Sequence, residues 1–92
     1  MSPEKAFDHI RLNAKPTTLT FAAEIAGQCQ DSAKVRAALW PLLFHTSRLV
    51  REGAIYGISN HRDSEINERL RSIASSDESP GVRSAAKEAL DG

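Results

Sequence analysis

Three histidines, one cysteine and twelve carboxylates are the side chains of this 92-residue chain that could do chemistry. A bound metal or an acid–base pair needs such groups within a few ångströms of one another. His45 and His61 fall at opposite ends of one expected helix, so a rise of about 1.5 Å per residue parts their backbones by roughly 20 Å or more. His9 stands at no ligand spacing from either, and all three read as capping or solvent-facing groups. Cys29 has no base beside it in the sequence and no second cysteine to pair with. It reads as a small buried hydrophobe at a helix end, in a reducing compartment. The sequence has no glycine-rich phosphate loop and no nucleophile elbow, and Glu65 with Glu68 is an ordinary helical surface pair. The expectation is a protein without catalytic residues, metal or cofactor.

Twelve Lys and Arg balance twelve Asp and Glu, so no global charge favours nucleic acid or an anionic membrane. The longest apolar run, 37–44, is under half a membrane span, and the first eight residues mix charges where a secretion signal needs an apolar stretch. A cytoplasmic protein with no membrane partner is expected. Ordinary hydrophobic and charged fractions suit one soluble domain over 1–92, and thirteen alanines with few aromatics suit closely packed helices.

Ser, Thr and Asp before apolar segments of 3.6-residue period mark helix starts, and no alternating β-branched stretch competes. Helices are expected over about 3–13, with Ser2 as cap, and 18–28, stopping near Gly27. A third runs from the cap Asp31 through Phe44, kinked at Pro41. A fourth runs from the cap Ser47 to about Asn60, a fifth from the cap Asp63 to about Ser75, and a sixth starts at Ser79-Pro80. Short connections make sequential helices antiparallel, which gives three pairs, 3–28, 32–60 and 63–91.

The pairs repeat. Ser47-Arg48-Leu49-Val50-Arg51-Glu52-Gly53-Ala54 overlays Ser79-Pro80-Gly81-Val82-Arg83-Ser84-Ala85-Ala86 at a spacing of 32 residues, and Ile58 matches Leu90. A weaker third copy places Leu19 at the Val50 position, 31 residues earlier. This helical pair, above all the segment from Asp77 to Leu90, resembles the HEAT family and its shorter HEAT-like relatives of phycobilisome-lyase type. The resemblance implies an all-α fold, a short α-solenoid of three antiparallel helix pairs. It also implies a structural ladder in which turn aspartates and helix arginines pair along the stack, assigning Asp77, Arg83 and Arg51 to it. The middle repeat departs from that pattern, with His45 at the aspartate position and Pro41 about a turn late.

Stacked pairs bury one another and leave a curved sheet of outer side chains, a surface suited to binding. Ile55 and Tyr56 stand where the last helix has Lys87 and Glu88. They read either as extra core for a central helix or as an exposed apolar anchor. Trp40 lies about a quarter turn off its helix's apolar stripe, either flanking the core or facing a partner. Arg48, Arg51, Arg62, Arg69 and Arg71 are interspersed with acids, which fits a solvated, ion-paired face better than a phosphate track. The expectation is a non-enzymatic module that binds another protein, as an inhibitor, immunity partner or assembly subunit, with Ile55, Tyr56, Arg48, Arg62 and Trp40 as candidate contacts. Nucleic-acid-binding or enzyme-accessory roles, known among HEAT-like proteins, are the alternative, and an apolar edge on a terminal pair leaves room for self-association.

Overall fold

Four polar side chains start helices by accepting otherwise unpaired N–H groups of a first turn. In the computed structural model, which describes residues 1–11 and 13–92, Ser2 Oγ accepts from Lys5 N at 3.3 Å and Asp31 Oδ1 from Lys34 N at 3.1 Å. Asp63 Oδ1 accepts from Ile66 N at 2.8 Å, and Ser79 Oγ from Val82 N at 3.4 Å. The described residues form six α-helices and no strand: α1 (Pro3–Ala6), α2 (Pro16–Ala26), α3 (Ser32–Leu39), α4 (Arg48–Ile58), α5 (Ser64–Ser76) and α6 (Pro80–Asp91). No helix among them is long and apolar enough to cross a membrane.

Four expectations need correction. The first helix is one α turn followed by a 3₁₀ turn, Phe7–His9. There the Asp8 carbonyl accepts from Arg11 Nε at 2.8 Å, a local bond that competes with helix continuation. Leu12, inside the expected span, lies outside the described residues. The third helix does not kink at Pro41 but ends at Leu39, and Pro41–Phe44 is a separate 3₁₀ turn. Proline offers no N–H to the ladder and crowds the preceding turn, so the shorter Leu43 N to Trp40 O bond, 3.1 Å, takes over. The fourth helix likewise closes at Ile58 with a 3₁₀ turn, Ser59–His61. Ser47 occupies the cap position of α4 without a side-chain cap bond.

Helix α4 is the hub: it packs against α2, α3, α6 and the Pro41–Phe44 turn, while α5 packs mainly on α6. Its Val50, Ala54, Ile55 and Ile58 are wholly buried, together with Leu19, Val35, Leu39, Leu43, Ile66, Leu70 and Val82. Glycines let α2 and α4 approach backbone to backbone. A Cβ on Gly53 would sit 2.7 Å from Thr20 O and 2.8 Å from Thr20 Cα, and one on Gly57 would overlap Ala23 O and lie 2.7 Å from Leu39 Cδ1. Thr20 Oγ1 fastens the contact by donating to Leu49 O at 2.7 Å.

The recurrence at 32 residues is visible in hydrogen bonds. His45 O accepts from Arg51 Nη1 at 2.8 Å as Asp77 O accepts from Arg83 Nη1 at 2.6 Å. Ser47 N donates to His45 Nδ1 at 2.9 Å, and Ser79 N donates to Asp77 Oδ1 at the same 2.9 Å. Imidazole and carboxylate thus do one job, accepting a turn N–H. Only the carboxylate can do the second. Arg51, 7% exposed, meets Asp77 side-on, Nε to Oδ2 at 3.0 Å and Nη2 to Oδ1 at 3.1 Å, and Nη1 also reaches Thr46 O at 3.0 Å. The bidentate geometry and the carbonyl acceptors offset the desolvation of a nearly buried guanidinium.

Removing one partner should therefore be costly: Asp77→Ala is expected to destabilise by about 3 kcal/mol, measured by urea unfolding, because it strands Arg51 and frees Ser79 N. Gly57→Ala should cost about 2–3 kcal/mol through backbone overlap, whereas Gly81→Ala, whose Cβ meets only the flexible end of Glu52, should change stability by under about 0.5 kcal/mol.

Candidate interaction surface

On α4 the buried residues Val50, Arg51, Gly53, Ala54, Ile55, Gly57 and Ile58 occupy most of the circumference. What remains is a narrow strip through Leu49, Glu52 and Tyr56, spaced so that all three point to one side. Leu49 and Tyr56 are each 46% exposed. Beside the strip lies α2, whose Leu19, Ala22, Ala23 and Ala26 face inward and leave Phe21 65% exposed, with Glu24 one turn on. On the other flank α6 contributes Gly81, against the Glu52 carboxylate, and Glu88. The three helices thus present one surface, with Leu49 and Tyr56 among three carboxylates, while Phe21 borders Met1, His9 and Thr17 on the α1 side of α2.

Tyr56 reports the field at its centre. Partial desolvation of the phenol raises its pKa above the usual 10.0, and the negative charges of Glu88, Glu52 and Glu24 raise it further. All three acids, from three helices, act on one hydroxyl.

The residues singled out from the sequence are dispersed. Ile55 is wholly buried, which corrects its reading as an exposed anchor: at the centre of the packed helices it faces the core while its neighbour Tyr56 turns outward. Arg48 is exposed at the start of α4, beside a recess it shares with Glu78 and Pro80. Arg62, at the far end, donates through Nη1 to Ala89 O, a carbonyl of the last turn of α6 where a cation is favoured. Trp40 is half-buried away from Tyr56, edge-on to Phe44 with centroids 5.6 Å apart and the Arg36 guanidinium 5.0 Å over its ring. Arg51, Asp77 and Arg83 come together at the turns before α4 and α6. Phe21, Leu49, Glu24 and Glu52 were not singled out. Their signal was an apolar or acidic residue off the inward stripe of its helix.

The remaining reactive groups hold turns. His61 Nε2–H donates to Gly27 O at 2.8 Å, leaving Nδ1 to accept from Ser32 Oγ at 2.7 Å, so one imidazole ties the α2–α3 connection to the turn after α4. The buried Cys29 thiol donates to Glu4 Oε1 at 3.1 Å. That bond and the Lys34 ammonium, 3.1 Å from Oε2, hold the Glu4 carboxyl below its usual range and raise Lys34 in turn. Among the described residues no three His, Cys, Asp or Glu side chains gather as a metal site. An apolar groove of about 510 Å³ runs along Phe7, Ile10, Leu19, Ala38 and Leu42. The cations at its mouth are engaged, Arg11 with Asp8 O and Lys34 with Glu4.

No family model, no curated protein and no solved structure matches the chain.

Tyr56 is the sole tyrosine, so its ionisation can be followed by absorbance without interference. Its midpoint is expected above 10, and Glu88→Gln should lower it by removing a like charge from beside the phenolate.

Proposed function

We propose that the protein is a non-catalytic, HEAT-like helical-repeat module that holds a partner protein against the face made by α2, α4 and α6. The observation that carries this reading is the pair Leu49 and Tyr56, two of the five large hydrophobic side chains exposed among the described residues, set on one strip of α4 beside Glu24, Glu52 and Glu88. Large aromatic and aliphatic side chains on a rigid helical surface are the usual energetic anchors of a protein interface. Helix packing makes the platform rigid, since Gly53 and Gly57 leave α4 no room to shift against α2.

The arrangement as three stacked antiparallel pairs, 3–28, 32–60 and 63–91, belongs to the same proposal. Its support is the recurrence of one hydrogen-bond set at His45–Arg51 and Asp77–Arg83, with Arg51 reaching forward from one unit to the carboxylate of the next. None of the large hydrophobics exposed among the described residues lies on α5 or α6. A phosphate track draws less support. Of the arginines available for it, Arg51 is paired with Asp77, Arg62 is bonded to Ala89 O and Arg69 lies over the Phe44 ring at 4.0 Å.

A photo-cross-linking residue at position 56 in the native host should yield a discrete adduct with one protein, and the same residue at position 72, exposed on α5, should not. Leu49→Glu with Tyr56→Lys should abolish co-purification of that protein while stability changes by about 0.5 kcal/mol or less per site, as for ordinary surface positions. Adducts from position 72 alone, or co-purification that survives the double change, would place the contact elsewhere.

A further inference from the structure

Cations already cover three of this molecule's aromatic rings and pair with several of its carboxylates. Lys34 lies 4.6 Å from the centroid of Phe7, Arg36 lies 5.0 Å from that of Trp40, and Arg69 lies 4.0 Å from that of Phe44. Glu4 pairs with Lys34, Asp63 and Glu65 with Arg36, and Asp77 with Arg51. The chain has five aromatic residues. The two without a cation among the described residues are Phe21 and Tyr56, and Tyr56 lies on the α2–α4–α6 face. Glu24, Glu52 and Glu88 on that face are absent from every ion pair among those residues, as are Asp8, Asp31, Glu68 and Asp91 elsewhere, but only these three gather around one exposed ring.

From this we infer that the partner's contribution to the face is cationic: an amphipathic segment that sets apolar side chains on Leu49 while its lysines or arginines meet Tyr56 and the three carboxylates. The inference rests on the docking reading above and names the chemistry of its occupant. Charge complementarity is the reason. The Tyr56 hydroxyl lies in the summed negative potential of acids from three helices, and α2 carries no basic residue at all to relieve it. A cation placed there gains both the ring face of Tyr56 and unneutralised carboxylates, whereas an anion meets repulsion from three sides. The apolar strip alone would accept any hydrophobic segment; the acids restrict the choice, as repulsive groups do in specific interfaces.

Two dye-labelled amphipathic peptides of about fourteen residues, sharing one Leu/Phe stripe and carrying either lysine or glutamate elsewhere, test this by fluorescence anisotropy. The lysine peptide should bind at low salt at least about tenfold more tightly than the glutamate peptide, and weaken as salt rises. Glu24→Gln, Glu52→Gln and Glu88→Gln together should remove about tenfold of that affinity, and Tyr56→Ala should weaken it as well. Glu68→Gln, an exposed acid on α5, should change nothing. Equal binding of the two peptides, or equal loss on Glu68→Gln, would overturn the inference. If neither peptide binds while position 56 still yields its adduct, the cationic occupant is wrong and the docking face stands. If the lysine peptide binds in the expected pattern but position 56 yields no adduct, the surface is cation-selective and the partner-protein reading fails. Sedimentation of the protein alone should show a monomer; a dimer lost on Tyr56→Lys would give the face to a second copy and overturn the inference.

Discussion

The backbone contact between α2 and α4 is the constraint on which the rest depends. Helices that touch through Gly53, Gly57, Thr20 and Ala23 cannot slide, because any side chain added at the contact would collide with the opposite main chain. Every exposed residue on those helices therefore has a fixed place relative to the others. The price is borne by α4, which carries two glycines in its interior, a destabilising choice of about 1 kcal/mol each were the helix alone. Tertiary packing reverses that preference. It also explains why α4 buries nearly everything it has and shows solvent only one strip.

A second consequence is electrostatic. A neutral chain need not be neutral everywhere. Lys34 and Arg36 of α3 pair with Glu4, Asp63 and Glu65 and cover the rings of Phe7 and Trp40. On the face built by α2, α4 and α6 three acids act together on one phenol. Zero formal charge conceals that difference.

Much of the fold was legible in the sequence. Caps at Ser2, Asp31, Asp63 and Ser79 marked helix starts because short polar side chains accept first-turn N–H groups, and the 3.6-residue periodicity gave the all-helical class. The resemblance of the segment from Asp77 to Leu90 to the HEAT family drew attention to Arg51, Asp77 and Arg83, which do meet. Where the reading failed, a long-range or competing local bond decided the matter. Pro41 ended its helix because a 3₁₀ turn could take over, whereas Ser47 stands at its cap position without the side-chain bond that Ser79 makes, a difference nothing in the structure explains. Ile55 and Tyr56 could not be separated, since adjacent residues on a helix point about 100° apart and only the position of α2, α3 and α6 fixes which one is covered. Phe21 was invisible for the converse reason: exposure depends on what does not pack against a residue.

His45 in the place that Asp77 fills one unit later has a meaning beyond local bonding. Position 51 sends its guanidinium forward to 77, but at the matching place of the weaker copy, thirty-one residues before Arg51, stands Thr20, which carries no charge. The His45 imidazole therefore answers one demand, the turn N–H of Ser47, where Asp77 answers both that of Ser79 and the Arg51 guanidinium. The turn before α4 stays closed without borrowing a charge from another helix, and the turn before α6 does not.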